Sequence, residues 1–332
     1  MHIRLAIVGC GWAGERCAGA AMAAPLSGRV KLCAAVDVVA ARARLLSERW
    51  GIPEVLDNHE DLLARTGVDA AALCLPHSLH AAVGLACLES GLDVLLEKPL
   101  AVTLAEGRAL VAAAERRARV LMVAETVRFE PAFVHAAGLI REGAVGTPFL
   151  VRVLRLVHMH EFLREHPWFL TDPAGGIMMS GGIHDFEIVR MLAGEVAGVF
   201  ALQAPRALAE MAGDDTSVAV ARLESGAVAE VTESFSTHDR EGSPRGSVHG
   251  DRGSLWFDRT SVHLLRPGAG DPQRFSFAPA GFEPVLGHFL RCVRDRCEPL
   301  TSGRDQLRPL AAVCAACDSM HSGQFEVVAP DR

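Results

Sequence analysis

Ile3-Arg4-Leu5-Ala6-Ile7-Val8-Gly9-Cys10-Gly11-Trp12-Ala13-Gly14-Glu15-Arg16 is the stretch that decides the fold. The apolar run Ile3–Val8 reads as a strand, and the Ala-rich segment after Gly14 reads as a helix. Between them stands G-x-G-x-x-G in the strand-to-helix context that the motif requires. Gly9 permits the tight turn, Gly11 lets the backbone approach a pyrophosphate, and Gly14 lets helix and strand pack closely. The amides at the helix N-terminus then face the phosphate charge. Gly9, Gly11 and Gly14, with Trp12 and Ala13 between them, are therefore expected to bind a dinucleotide. Asp37 ends the next apolar run, about twenty residues beyond Gly14, where a carboxylate suits the adenosine ribose hydroxyls. A 2′-phosphate would meet that negative charge, so NAD is expected and NADP is disfavoured.

Working outward, short apolar runs recur at Ile3–Val8, Val30–Val36, Val68–Leu75, Asp93–Glu97 and Val120–Ala124. Helical patterns such as Ala40–Trp50 and Leu79–Ser90 lie between them, and Thr103-Leu104-Ala105-Glu106 is a capping box opening another. Continuous apolar strands alternating with helices imply a doubly wound parallel sheet covered on both faces. After residue 125 the rhythm changes. A helix is expected at Pro131–Glu142 and a strand at Phe149–Val157. Strand patterns then follow in series at Val196–Gln203, Ser217–Leu223, Val228–Phe235, Gly246–Gly250, Ser254–Phe257 and Val262–Leu265. Strands in series separated by turns read as a large, mostly antiparallel sheet. Helices at Pro284–Arg294 and Asp305–Met320 close the chain. The fold class is thus an α/β Rossmann domain, residues 1–125, followed by an α+β domain with an open-faced sheet, residues 126–332.

The 332 residues carry a formal net charge of -7, and 50% of them are hydrophobic. Apolar material suffices for two cores, and no Lys/Arg run offers a nucleic-acid patch, so no nucleic-acid partner is expected. The first residues enter a strand pattern without the regions of a signal peptide, and no apolar run is long enough to span a bilayer. A cytoplasmic location without membrane contact is the expectation. The nine cysteines are odd in number and scattered through apolar segments, the usage of buried thiols in a reducing compartment. Cys314 and Cys317 form C-x-x-C within an Ala-rich helical pattern, which reads as buried helix. There is no tyrosine, so none can be the catalytic acid.

Chemistry concentrates at strand ends, because ligands of open α/β sheets bind outside their carboxyl edges. Leu75 ends the third of these apolar runs and Pro76 follows it, with His80 opening the next helix. Glu97-Lys98-Pro99 ends the fourth run and projects Lys98 toward the expected nicotinamide position. Leu75, Pro76, Glu97 and Lys98 are accordingly counted with the cofactor-binding residues; His80 joins them only by the family resemblance these motifs carry, a polar residue of the helix N-terminus being the other reading. At these motifs, together with Leu75–His80, Val127-Arg128-Phe129 and Gly175–His184, the sequence resembles the glucose–fructose oxidoreductase / inositol dehydrogenase family (Gfo/Idh/MocA). The resemblance covers nearly the whole chain and implies the two-domain architecture above. It implies that Lys98 holds the substrate oxygen beside the nicotinamide and that His184 is the general acid/base. It further implies a sugar, cyclitol or related polyol as substrate and a homo-oligomer, dimer or tetramer, built on the open sheet. Val218, Val220, Val228 and Val231 are candidates for that face.

One departure stands out. The family pattern before the histidine is Asp-x-Gly-x-His, whereas this chain reads Ser180-Gly181-Gly182-Ile183-His184. Ser180 lies a helical turn before His184, so it can share a face and hydrogen-bond the imidazole, but it brings no charge. Glu187, a turn beyond, is a candidate for the missing carboxylate. His158, His160 and His166 cluster with Glu161 and Glu165 at no standard metal spacing, so no metal is expected. His160, Trp168 and Arg128 are candidates for substrate contact, with a structural salt bridge the other reading for Arg128. Two other functions stay open. One is a dehydrogenase or reductase of a cyclic non-sugar substrate, and the other is a catalytically silent NAD-binding sensor.

Overall fold

The alternation of apolar runs and helices becomes a parallel sheet of β1 (Ile3–Val8), β2 (Val30–Val36), β3 (Glu54–Leu56), β4 (Ala70–Leu73), β5 (Asp93–Leu96) and β6 (Leu121–Val123). The computed structural model describes residues 2–239 and 244–328. Strand order is β3-β2-β1-β4-β5-β6, and every pairing is parallel. Strands such as β4 and β5 are buried at every residue, because α1 (Trp12–Met22), α2 (Ala40–Trp50), α3 (His59–Leu63), α4 (His80–Glu89) and α5 (Leu104–Arg116) connect the strands and cover the sheet. The Thr103 capping box forms as read, its side chain accepting from Glu106 while Glu106 reaches back. From β1 the chain winds outward in both directions, which makes the β1/β4 carboxyl ends the topological switch point.

A second sheet carries β7 (Pro148–Leu156), β8 (Val196–Gln203), β9 (Thr216–Leu223), β10 (Val228–Ser234), β11 (Gly246–Gly250), β12 (Gly253–Phe257), β13 (Ser261–Leu265), β14 (Gln273–Ser276) and β15 (Glu326–Val327). Its order is β14-β13-β12-β11-β7-β10-β9-β8-β15. It is antiparallel except where β10 runs parallel to β7. Helices α6 (Pro131–Arg141), α7 (His160–Glu165), α8 (Trp168–Thr171), α9 (Ile177–Ser180) and α10 (Gly182–Ala193) accompany it. α10 packs on β7 and β10. Alternation then sorts the strand residues. Ala219, Ala221, Ala229, Val231, Val151 and Val153 are buried. Val218, Val220 and Val228 point to the other face and stay 40–46% exposed. Val231 therefore does not belong to the open face, because its side chain lies with the helix-covered set.

The chain divides into two compact units, Met1–Thr126 with Ala280–Leu307, and Val127–Pro279 with the residues from Arg308 on. The reading of one boundary at 125/126 misses the return of 280–307 to the first unit. The cause is α11 (Glu283–Asp295), which buries Val285, Leu286, Phe289, Leu290, Cys292 and Val293 and packs on α1. Just past it, Arg296 pairs with the buried Asp93 at 2.8 Å. α12 (Gly303–Ser322) follows and carries Cys314 and Cys317 as helical, half-buried thiols. All nine cysteines are free. No described helix is long and apolar enough to cross a membrane.

Candidate active site

In the first unit the three glycines have three different surroundings. Gly9 has φ +93°, and a Cβ there would collide with the Cys74 carbonyl oxygen. At Gly14 a Cβ would run into the Gly9 carbonyl oxygen and lie 3.2 Å from Ile7 Cγ2. Both positions are closed by the protein's own backbone. Gly11 is the opposite case. It caps α1 at φ -82°, a conformation open to any residue, and nothing lies within 4 Å of where its Cβ would stand. The fold does not require glycine at 11, whereas a phosphate pressed against the backbone does. The residues present therefore fit a dinucleotide.

Asp37 sits beside this turn, 9% exposed. The Cys10 amide donates to its Oδ2 at 2.8 Å and the Val39 amide to its Oδ1 at 2.8 Å. Each oxygen retains a second lone pair, so the carboxylate is held in orientation while still able to accept from ribose hydroxyls. Burial, with Asp37 adding, pushes the Cys10 thiol up to about 12, so it stays protonated beside the phosphate turn. Trp12 begins α1 exposed, its ring 4.5 Å from the Arg16 guanidinium, which also lies 5.4 Å from Phe282. Ala13 follows it in the first turn of α1.

His80 is fully buried and joins two strand ends. Its Nδ1 lies 2.7 Å from the Pro99 carbonyl and its Nε2 3.0 Å from the Leu75 carbonyl. A neutral imidazole has one N–H for these two acceptors. Burial outweighs both carbonyls and holds the His80 pKa below its ordinary value. Read from the sequence as a cofactor contact, His80 has both ring nitrogens facing carbonyls, of Leu75 and of the loop that carries Lys98, and its single N–H bonds one of the two. Lys98 is half-buried, and its amide donates to Glu97 Oε2 at 3.2 Å. Burial raises the Glu97 pKa, Lys98 and Arg16 oppose that, and Glu125 adds to it. Arg16 and Glu125 escaped the sequence reading because neither sits in a motif.

In the second unit the Gly175-Gly176 turn is held by Asp214. Its carbonyl accepts from the Ile177 amide at 2.8 Å, and its Oδ2 accepts from the Met178 amide at 3.1 Å. That caps α9, which ends in Ser180. The Ser180 hydroxyl donates to the Gly176 carbonyl at 2.8 Å. Its only proton is thus committed, and what it can offer His184 is an acceptor lone pair. His184, in the first turn of α10, is half-buried between the buried Ile183 and Asp185. Glu187, the candidate for the missing carboxylate, carries two arginine ion pairs. It is fully buried, and its two oxygens receive Arg128 at 2.8 Å and Arg190. Arg128 is thereby the structural salt bridge of the two readings given for it.

Sequence reasoning missed the charges under the start of α10. A Cβ at Gly181 or Gly182 would lie 2.7 Å or 2.9 Å from the Glu233 carboxylate, which explains glycine at both. Arg155 approaches Glu233 at 3.6 Å and Asp185 at 3.1 Å, and Arg245 also pairs with Asp185. Two carboxylates and two guanidiniums balance there. No spacing rule links residues 155, 185, 233 and 245. Trp168 stacks on Phe169 with centroids 3.8 Å apart. His160 bonds Ser236 at 2.8 Å, and His166 bonds the Phe162 carbonyl at 2.8 Å. Among the described residues no group of three His, Cys, Asp or Glu side chains is arranged to hold a metal.

Comparison with known proteins gives two family matches. Residues 3–125 match the oxidoreductase family with an NAD-binding Rossmann fold, and residues 133–256 match the Gfo/Idh/MocA C-terminal domain. A D-apiose dehydrogenase of Paraburkholderia graminis is 30% identical over 89% of this chain and 81% of its own. A myo-inositol dehydrogenase of Streptomyces leeuwenhoekii is 32% identical over 97% of this chain and 99% of its own. Levoglucosan dehydrogenase, solved with NADH and levoglucosan, superposes with a TM-score of 0.88 at 21% identity, covering 99% of this chain and 100% of that one. With both its parts matched by the family models, the chain is an oxidoreductase of the Gfo/Idh/MocA family, and residues 3–125 are that family's NAD-binding Rossmann fold.

Proposed function

We propose that this enzyme moves a hydride between NAD(H) and a carbinol or carbonyl carbon of a sugar, cyclitol or related polyol. The observation that carries the reading is the carboxyl edge of the first sheet. There the open Gly11 and the anchored Asp37 supply a dinucleotide site in the same unit as Lys98. The names of the relatives, a D-apiose and a myo-inositol dehydrogenase, support the substrate class. Bound NAD supplies the hydride acceptor. Lys98 places an ammonium on the reacting oxygen and favours its anionic form. His184 takes the alcohol proton, or returns it in the reverse direction. Ser180, its proton given to the Gly176 carbonyl, has only an acceptor lone pair with which to orient the imidazole and contributes no charge of its own. The test is turnover of NAD⁺ with a panel of polyols by the wild type, Lys98→Met and His184→Ala. The expected result is at least one substrate and a loss of about 10²–10⁴-fold in each variant with NADH binding kept. Binding of NAD⁺ with no turnover would favour the sensor.

The same reading includes a second copy of the chain on the open sheet face. Leu202, Val218, Val220 and Val228 leave apolar surface there, and apolar patches of that kind mark interfaces. Light scattering should give a dimer or tetramer, and a monomer at all working concentrations would remove this part. A cytoplasmic location accords with nine free thiols.

A further inference from the structure

The end of α11 brings two cysteines of the first unit together. Arg296 closes the helix in the left-handed region, at φ 52° and ψ 41°, and its amide bonds the Cys292 carbonyl. The Cys297 amide bonds the same carbonyl at 3.3 Å. A helix that ends this way turns the side chain after the left-handed residue back onto its last turn. Here both positions are cysteine, and the two thiols lie within hydrogen-bond reach of one another. The left-handed region disfavours any side chain, and the 2.8 Å pair with buried Asp93 holds Arg296 in it. On the far side the Leu300 amide donates to His288 Nε2 at 2.8 Å, and that nitrogen lies 3.6 Å from Cys292 Sγ. The short segment that carries Cys297 is thus fastened on both sides of the thiol.

The two thiols differ in access. Cys292 is fully buried, and among the described residues Cys297 is the only exposed cysteine. Burial, and then the Cys297 thiol, push the Cys292 thiol up to about 12, so it stays protonated and is inert on its own. The other neighbouring cysteines lack this arrangement. Neither Cys10, Cys17 and Cys74 beside the dinucleotide turn nor Cys314 and Cys317 on α12 have an exposed member. An exposed thiol resting on a buried one is the arrangement of a thiol that reacts and a thiol that resolves.

We propose that Cys292 and Cys297 are a reversible oxidation site for hydrogen peroxide, in which Cys297 reacts and Cys292 resolves. The Cys297 thiolate attacks one peroxide oxygen, the O–O bond breaks and hydroxide leaves, which gives the sulfenic acid. The Cys292 sulfur then attacks the Cys297 sulfur. The S–O bond breaks, the oxygen departs with the Cys292 proton as water, and a disulfide remains. In sum two thiols give up two electrons and two protons, and one hydrogen peroxide becomes two waters. A dithiol reductant reverses the step. The disulfide closes a short ring around Arg296 in a helix end already in place, and it stops Cys297 short of irreversible sulfinic acid. The site is separate from hydride transfer. It lies at the amino edge of the first sheet, where Asp93 opens β5, whereas the dinucleotide turn follows the carboxyl end of β1.

The test treats the NAD⁺-loaded protein with hydrogen peroxide, blocks the remaining thiols with iodoacetamide and digests with trypsin, which cuts after Arg294 and Arg296 and so separates the two cysteines. The wild type should give the peptide 292–294 joined to the peptide 297–304, two hydrogens lighter than the two apart, and dithiothreitol should abolish the product. Oxidation should raise Tm by about 2–3 °C, the effect of closing a short loop in a chain of this size. Cys297→Ser, a change at an exposed position, should show neither the cross-link nor the shift. Cys292→Ala should leave Cys297 as a sulfenic acid that dimedone traps and that otherwise proceeds to sulfinic acid. If Cys292→Ala does not fold, the wild type and Cys297→Ser still decide. Wild-type Cys297 reaching sulfinic acid without the cross-link, Cys297 remaining a thiol while another cysteine is oxidised, or a Tm that falls as the disulfide forms would each overturn the proposal.

Discussion

Replacing Gly11 with alanine separates what the fold requires from what the cofactor requires. At φ -82° with no atom within 4 Å of the new Cβ, alanine fits the unliganded protein without strain. Removing glycine's freedom from the unfolded chain should then stabilise by about 0.4–1 kcal/mol. For a chain of this size that is a rise of about 0.5–1.5 °C in Tm. The same methyl occupies the ground a pyrophosphate must approach, and an unrelieved methyl contact costs about 1–3 kcal/mol. NADH Kd should rise by about 5- to 150-fold. Gly14→Ala is the counter-case: its Cβ meets the Gly9 carbonyl and Ile7, so α1 must lift from β1 and Tm must fall. NADH fluorescence titration and thermal melts of the two variants give four numbers. The reasoning is refuted if Gly11→Ala binds NADH as the wild type does, or if it melts lower.

Asp37→Ser should narrow the ratio of NADPH to NADH dissociation constants, measured by titration, and also lower Tm slightly, because the Cys10 and Val39 amides lose their acceptor. Glu187→Gln should cost about 3–5 kcal/mol in denaturant unfolding, since it leaves Arg128 and the nearly buried Arg190 without their shared carboxylate. His80 gives a pH dependence of defined sign. Its pKa is depressed below 6.5 in the folded protein, so the unfolded chain takes up a proton that the folded chain refuses. That stability is fully present above about pH 6.5 and is lost as pH falls below it. Denaturant midpoints of wild type and His80→Gln should therefore converge as the solution is acidified. Glu97, whose raised pKa acts with the opposite sign, is common to both proteins and cancels in the comparison.

What the sequence made legible was local. The glycine turn, the strand-end Asp37, the Thr103 capping box and five of the first six strands each depend on neighbours a few residues away and appear where the pattern put them, while the three-residue edge strand β3 carries too short a pattern to read. Partners far along the chain were not legible. The apolar stripe of α11 announces a buried face but not that α1 receives it, so the return of 280–307 to the first unit was missed. Residue type gave Glu187 a free carboxylate, while two arginines from other turns claim it. Ser180 was read against His184 alone, and its proton goes back to Gly176, one turn behind. Asp215 and Ser236 stand apart in the sequence with no motif to join them, and only the pairing of the strand ends brings them to His160. Val231 went to the wrong face because alternation gives two faces without saying which one a helix will cover.

The most direct measurement is of the hydride itself. The wild-type protein is incubated with NAD⁺ and polyols, myo-inositol, D-apiose and levoglucosan among them, each deuterated at its carbinol carbons, and the recovered nicotinamide is examined by mass spectrometry. The account predicts reduced cofactor carrying one deuterium from at least one polyol, and about 10²–10⁴-fold less of it with His184→Ala. Recovery of bound but fully oxidised NAD⁺ with every polyol would contradict it.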